Sequence, residues 1–143
     1  MKKYKTGIIG CGRIGSLLEE DPLRGKPCTH AGGFSALPAS HLSAGCDIDT
    51  DRLEKFGKRW NVTELYSDYQ DMLNKENLDI ICIATWTPLH AKMTLKAAEA
   101  GVKGIFCEKP IATNLKQARD MVRVCQKKNI PLIINHERRW DAY

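Results

Sequence analysis

Tyr4-Lys5-Thr6-Gly7-Ile8-Ile9-Gly10-Cys11-Gly12-Arg13-Ile14-Gly15 is the stretch on which the reading of the whole chain turns. A short run that carries no charge after Lys5 reads as a strand buried on both faces, and glycines at 10, 12 and 15 follow it without a gap. Gly-x-Gly-x-x-Gly by itself marks no more than a flexible turn. Directly after a strand and at the head of a helix it is narrower in meaning. The turn then leaves backbone N–H groups and a helix N-terminus pointing outward, where they suit an anion. The sequence predicts that this helix begins near Arg13.

Working outward, apolar runs alternate with stretches of helical period, the pattern of a parallel sheet covered by helices on both faces. Asp21-Pro22 and Gly25-Lys26-Pro27 break the first helix early, so residues 17–29 read as an insertion and helix resumes over 30–37. A second strand over 41–46 ends on Asp47-Ile48-Asp49, and Thr50 or Asp51 is placed to cap a helix to about Trp60. A third strand at 64–66, a helix over 68–75 and a central strand over 79–84 follow. Residues 88–100 form a helix with proline in its first turn and Gly101 at its end, Leu89, Met93 and Ala97 facing inward. A fifth strand over 102–107, a helix over 115–128 with Leu115, Ala118 and Val122 on its apolar stripe, and a sixth strand over 131–135 complete the unit. Right-handed crossovers give an α/β doubly wound sheet of Rossmann type, order 3-2-1-4-5-6, filling residues 1–143 as one domain.

In such a sheet a ligand lies across the carboxyl ends of the strands, and the glycine loop specifies a dinucleotide. Gly10 makes the tight turn, Gly12 lets phosphates approach the backbone and Gly15 lets helix and strand pack closely, with Cys11, Arg13 and Ile14 completing the loop. The partner expected about 20 residues on is an acid that accepts hydrogen bonds from ribose hydroxyls. Asp47 stands 32 residues after Gly15, and the 13 residues of the insertion account for the excess. Asp49 is the alternative, better suited to capping. A carboxylate here repels a 2′-phosphate, which favours NAD over NADP, and Arg52 is within reach of adenine or a phosphate. The loops after the fourth and fifth strands, Thr85-Trp86-Thr87-Pro88-Leu89-His90 and Glu108-Lys109-Pro110, face the same crevice.

Composition excludes several classes of function. The net charge of +5 comes from basic residues interleaved with acids, as in Asp51-Arg52 and Glu54-Lys55, which reads as a solvated surface rather than a nucleic-acid stripe. Six cysteines contain no Cys-x-x-Cys pair, and several lie in strands, so a reduced, cytoplasmic protein without a metal site is expected. Cys28, His30 and His41 lack ligand spacing. The basic start is followed by a short, glycine-rich run, so neither a secretion signal nor a membrane span is predicted.

Glu-Lys-Pro after the fifth strand, Thr-Pro-x-His after the fourth and the glycine loop together resemble the glucose-fructose oxidoreductase, inositol dehydrogenase and MocA family over the whole chain. Arg138-Arg139-Trp140 resembles the segment with which its members leave the cofactor domain. The resemblance implies an NAD(P)-dependent oxidoreductase that moves hydride between nicotinamide and a sugar, cyclitol or related hydroxy or carbonyl compound. It gives Lys109 a catalytic place beside the nicotinamide and the reacting hydroxyl, with Glu108 positioning it and Pro110 fixing the turn through a cis peptide bond. Thr85, Trp86 and Pro88 would cover the cofactor, and His90 would begin the next helix. Trp86 stands where a small residue is expected, free to stack on the dinucleotide or to pack at the loop. His30 matches a histidine that members carry after the glycine loop.

Family members also carry a second α+β domain that closes the substrate cleft, adds an acid/base group and forms most of a homo-oligomeric interface. That domain is expected beyond this chain, as part of a longer enzyme. The alternative is a stand-alone, non-catalytic module that reads the NAD/NADH state, and Lys109 argues for the enzyme, since a sensor has no use for it.

Overall fold

The computed structural model describes residues 3–140. Its strands are β1 (Tyr4–Ile9), β2 (Ser40–Cys46), β3 (Glu64–Tyr66), β4 (Ile80–Ile83), β5 (Gly104–Glu108) and β6 (Leu132–Asn135). They form one parallel sheet in the order β3-β2-β1-β4-β5-β6, as the alternation of elements predicts. The order reverses between β1 and β4, which opens a crevice at their carboxyl ends.

Helices α1 (His30–Ala36), α2 (Thr50–Trp60), α3 (Tyr69–Lys75), α4 (Thr87–Glu99) and α5 (Leu115–Lys127) cover the sheet. Successive strand residues point to opposite faces, so Ile8 and Ile9 belong to different cores. Ile8 packs with Ala31, Leu53 and the fully buried Phe56 under α1 and α2. Ile9 packs with Ile81, Met93, Ala97, Ile105 and Met121 under α3, α4 and α5.

The first helix differs from the sequence reading. No regular helix starts at Arg13; residues 13–16 form a turn, Leu17–Glu20 a single 3-10 turn, and α-helix begins only at His30. The hydrogen bonds explain why. The N–H of His30 donates to Ile14 O and that of Ala31 to Gly15 O, both at 3.0 Å, in place of the bonds residues 18 and 19 would make in a continuous helix. Residues 17–29 are looped out, and α1 docks where the helix would have continued. The loop is closed on itself: Glu19 Oε2 accepts from Thr29 Oγ1 at 2.6 Å and from the Cys28 N–H at 3.2 Å, and Lys26 Nζ donates to Asp21 O at 2.7 Å.

Three smaller expectations are also corrected. Asp49, which the sequence also suits to capping, is the residue that caps α2 in place of Thr50 or Asp51, its Oδ1 accepting the Arg52 N–H at 3.1 Å. Leu89 is exposed, because it sits in the first turn of α4, beyond the sheet, while Met93, Ala97 and Ala98 face inward. On α5 the buried stripe is Met121 and Cys125 with Ala118 half-buried beside them, whereas Leu115 is 63 % exposed and Val122 also faces solvent. Two apolar stripes were available on that helix, and the sheet took the one whose residues are spaced three and four apart about Met121.

Candidate cofactor and active site

At the carboxyl ends of the strands the sheet and its loops enclose a cleft of about 560 Å³. One end is made by the glycine loop and the end of β2. Gly10 has φ +98°, and a Cβ there would stand 2.5 Å from Ala84 O on the neighbouring strand's exit. A Cβ on Gly15 would overlap the carbonyl oxygen of Gly10. At Gly12 a Cβ would meet only Arg52 Nη1, at 3.9 Å, so the bare backbone opens onto the cleft. The glycines are thus required for two reasons, close approach within the protein at 10 and 15 and room for something else at 12.

Asp47 lies at the other lip of this end, largely buried and with both oxygens engaged. Its Oδ2 accepts the Cys11 N–H at 2.8 Å and its Oδ1 the Asp49 N–H at 2.9 Å. The carboxylate ties the glycine loop to the end of β2 while keeping lone pairs for a further donor, since each oxygen can accept more than one bond. Arg52 Nε pairs with Asp49 at 3.2 Å, which holds its guanidinium over Gly12. Cys11 itself faces the core, and burial first, then the charge of Asp47, pushes its thiol pKa well above the ordinary range. Cys46, at the cleft wall, is pushed up to about 12 by burial and by Asp47.

The opposite end is built by the loops after β4 and β5. Lys109 is exposed and lines the cleft, and its peptide bond to Pro110 is cis. Glu108, buried at the end of β5, does not reach for the Lys109 ammonium. Its Oε1 accepts from His30 Nε2 at 2.8 Å and Asn135 Nδ2 at 2.7 Å, and its Oε2 accepts the backbone N–H of Lys109 at 3.1 Å. Burial opposes the charge on Glu108, but the bonds from His30 and Asn135 outweigh it and hold the carboxyl below its ordinary range.

His90 is a strut between the two loops. It is fully buried, with Nδ1 2.9 Å from Pro110 O and Nε2 3.0 Å from Thr85 O. It lies behind the cleft wall, as do Cys11 and Gly15, while Pro88 is exposed, and none of these lines the cavity. Trp86, by contrast, is 83 % exposed at the cleft mouth, close to Leu89, and is not a packing residue. Arg13, Ile14 and Thr85 line the cavity as well.

Sequence reasoning missed Asn135 and Glu137, although the rule that pointed to the ends of the fourth and fifth strands applies equally to the sixth. It also missed Leu17 and Leu18, whose cleft-facing position follows from the looped-out segment, and Tyr69, whose ring lines the cleft while its hydroxyl is buried without a partner among the described residues.

An exposed backbone at Gly12, an acid anchored at the end of β2 and a cavity running from there to Lys109 fit an extended dinucleotide. Residues 4–136 match the oxidoreductase family with an NAD-binding Rossmann fold that is named after glucose-fructose oxidoreductase, inositol dehydrogenase and MocA. The chain belongs to this family. D-Apiose dehydrogenase of Paraburkholderia graminis is 34 % identical over 141 residues, 99 % of this chain and 34 % of that protein. Myo-inositol 2-dehydrogenase of Thermotoga maritima is 28 % identical over 137 residues, 96 % of this chain and 37 % of that protein.

Among solved structures, myo-inositol 2-dehydrogenase from Lactobacillus plantarum superposes with a TM-score of 0.84 at 31 % identity, covering 98 % of this chain and 38 % of its own. Scyllo-inositol dehydrogenase from Lactobacillus casei, with bound NAD(H) and scyllo-inositol, gives 0.84 at 25 % identity with the same coverage. The chain spans about a third of the length of the curated relatives it matches. Its fold is the family's NAD-binding Rossmann domain. No helix of the described residues is long and apolar enough to cross a membrane.

Proposed function

We propose that this domain holds NAD for hydride transfer to or from an alcohol carbon of a sugar, cyclitol or related compound, with Lys109 as the catalytic residue. The observation that carries the reading is an exposed lysine on the same cleft as the bare Gly12 backbone and the anchored Asp47. NAD supplies the hydride acceptor when bound. The N–H groups of residues 12–15 would face its pyrophosphate, those of Gly10 and Cys11 being taken by Cys46 O and Asp47, while Asp47 would accept from the adenosine ribose and disfavour a 2′-phosphate, and Arg52 would lie against the adenine side. Trp86, together with the turn around Thr85, covers the dinucleotide. Lys109 orients the reacting hydroxyl and shares its proton, held there by the turn that Glu108 and Pro110 build.

Calorimetric titration with NAD and NADP tests the binding half. NAD is expected to bind more tightly, and Asp47→Ala should remove that preference; tighter NADP binding by the unaltered protein overturns it. The catalytic half is tested by NAD reduction with a panel of aldoses and cyclitols, where Lys109→Met should abolish turnover in a protein that still binds NAD. Further chain of the kind the longer relatives carry would close the substrate side and join subunits, and reading the gene past Tyr143 tests this. The unpaired cysteines suit a reducing compartment, so we place the protein in the cytoplasm, which fractionation of cells producing it can check.

A further inference from the structure

Glu108 gathers groups from two distant parts of the chain and from its own neighbour, and one of them, His30, is anchored at both ends of the cleft. We propose that His30 is a positioning residue for the Glu-Lys-Pro turn, coupling the placement of Lys109 to the glycine loop. The inference rests on the reading of Lys109 as the lysine beside the nicotinamide.

The backbone N–H of His30 donates to Ile14 O, inside the glycine loop, at 3.0 Å. Its ring Nε2 stands 2.8 Å from Glu108 Oε1, 78 residues away in sequence, with both side chains less than a tenth exposed. A carboxylate only accepts, so Nε2 carries the proton and donates it. Asn135 Nδ2 takes up the same oxygen, which leaves Oε2 for the Lys109 N–H. Glu108 is thereby fixed from two sides, and it fixes in turn the first residue of the turn.

The imidazole has little freedom to leave. Its ring meets the edge of Phe106 at a centroid distance of 5.3 Å, and Phe34 packs against Phe106 from the side. Nor does the looped-out segment leave the residue loose. Thr29 Oγ1 caps α1 by accepting the Gly32 N–H at 3.1 Å and is itself bonded to Glu19. A displacement of the glycine loop therefore reaches Lys109 through His30 and one carboxylate. The bond to Ile14 O belongs to the backbone and ties position 30 to the glycine loop; the ring's bond to Glu108 is the one that a side chain only filling space would lack.

The position of Lys109 can be read from binding alone. A cation beside the nicotinamide opposes the positively charged oxidised ring more than the neutral reduced ring, so the ratio of NADH to NAD+ affinity reports where the lysine stands. Lys109→Met is expected to lower that ratio about fivefold, a modest Coulomb term at a partly solvated site. His30→Leu should lower it at least about twofold, His30→Gln, which keeps a neutral donor, should restore it, and in the Lys109→Met background His30→Leu should leave it unchanged.

Asn135→Ala is the second route, needed where His30→Leu does not fold, and should move the ratio in the same direction. Equal weakening of both cofactors by His30→Leu, in a protein whose ratio responds to Lys109→Met, overturns the positioning role and leaves the proposed function standing. A ratio that does not respond to Lys109→Met removes the lysine from the nicotinamide, and this inference with it.

Discussion

The two ends of the cleft are made by the same kind of unit, a loop leaving a parallel strand, yet they are finished in opposite ways. At the Asp47 end the acid is already bonded through both oxygens, and Gly10 and Gly15 leave no space for a side chain. At the Lys109 end the backbone is fixed as tightly, by Glu108 below and the His90 strut behind, but Lys109 and Trp86 extend from it into the cleft and solvent. Rigid backbone is common to both; the acid at one end is bonded in advance, whereas the lysine at the other is exposed. An end that only has to hold a cofactor gains from having its acid and its backbone positioned in advance, whereas an end that meets a reacting atom needs a group whose last bond is unmade.

Glycine substitutions break this comparison most sharply. In Gly15→Ala the new methyl would overlap Gly10 O, and Gly10, at φ +98°, cannot give way. The expected cost is about 3 kcal/mol of stability or more, read from urea unfolding, with cofactor binding lost alongside. Gly12→Ala should separate the two properties. Its methyl meets nothing nearer than Arg52 Nη1 at 3.9 Å, so stability should hold within about 0.5 kcal/mol while NADH affinity drops about tenfold or more. Equal stability losses in the two variants would mean that Gly12 is as tightly packed as Gly15, and the distinction between them would go.

Asp47→Ala comes next in size. It removes a carboxylate that accepts from Cys11 and Asp49, leaving two backbone donors to find water, and should cost about 1.5–3 kcal/mol by thermal or urea unfolding. Asp47→Asn keeps one acceptor in place and should cost less than half as much. Were Asp47→Ala as stable as the unaltered protein, the carboxylate would serve the ligand alone and the Asp47 end would not be committed in advance.

The Asp47 end was also the more legible in the sequence. Glycine spacing, strand and acid are local signals, and even the wrong distance to Asp47 pointed to the segment over 17–29 that is in fact looped out. What the sequence did not disclose is how that segment is bypassed, because the bonds from residues 30 and 31 back to 14 and 15 have no periodic trace. The Lys109 end was legible as a place but not as a network. Nothing in Glu108-Lys109-Pro110 says that the glutamate looks away from the lysine toward His30 and Asn135, since that pairing depends on a sheet register joining β5 to β6 and on a helix docked from elsewhere. The exposed Leu115 and Leu89 were misjudged for a related reason: periodicity marks a stripe, and only the packing partner decides which stripe is used.

The Glu108 cluster makes a prediction for acid conditions. Glu108 has its pKa lowered on folding, so its bonds add stability that is present above the ordinary glutamate range and is lost as pH falls through the depressed value. Glu108→Gln keeps the shape and removes the titration. The stability gap between the two proteins, from melting temperatures, should be constant near neutrality and shrink on the acid side, below the value of 4.5 that is ordinary for a glutamate. A gap that widens with acidification would mean that Glu108 is protonated more easily in the folded protein, and that His30 and Asn135 do not hold it as an anion.

Trp86 should have the smallest effect on the fold and is the cleanest probe of the free end. With 83 % of its surface exposed it contributes little burial, so Trp86→Ala should change stability by no more than about 0.5 kcal/mol. If the indole covers the dinucleotide, the same substitution should weaken NADH binding several-fold, in line with the roughly 0.5–1.5 kcal/mol of an aromatic contact. Its fluorescence gives an independent reading: in a variant with Trp60 and Trp140 replaced by Phe, NADH should quench Trp86 in step with binding. A stability loss well above that bound, with NADH affinity unchanged, would make Trp86 a structural residue and would bring the Lys109 end into line with the committed end at Asp47.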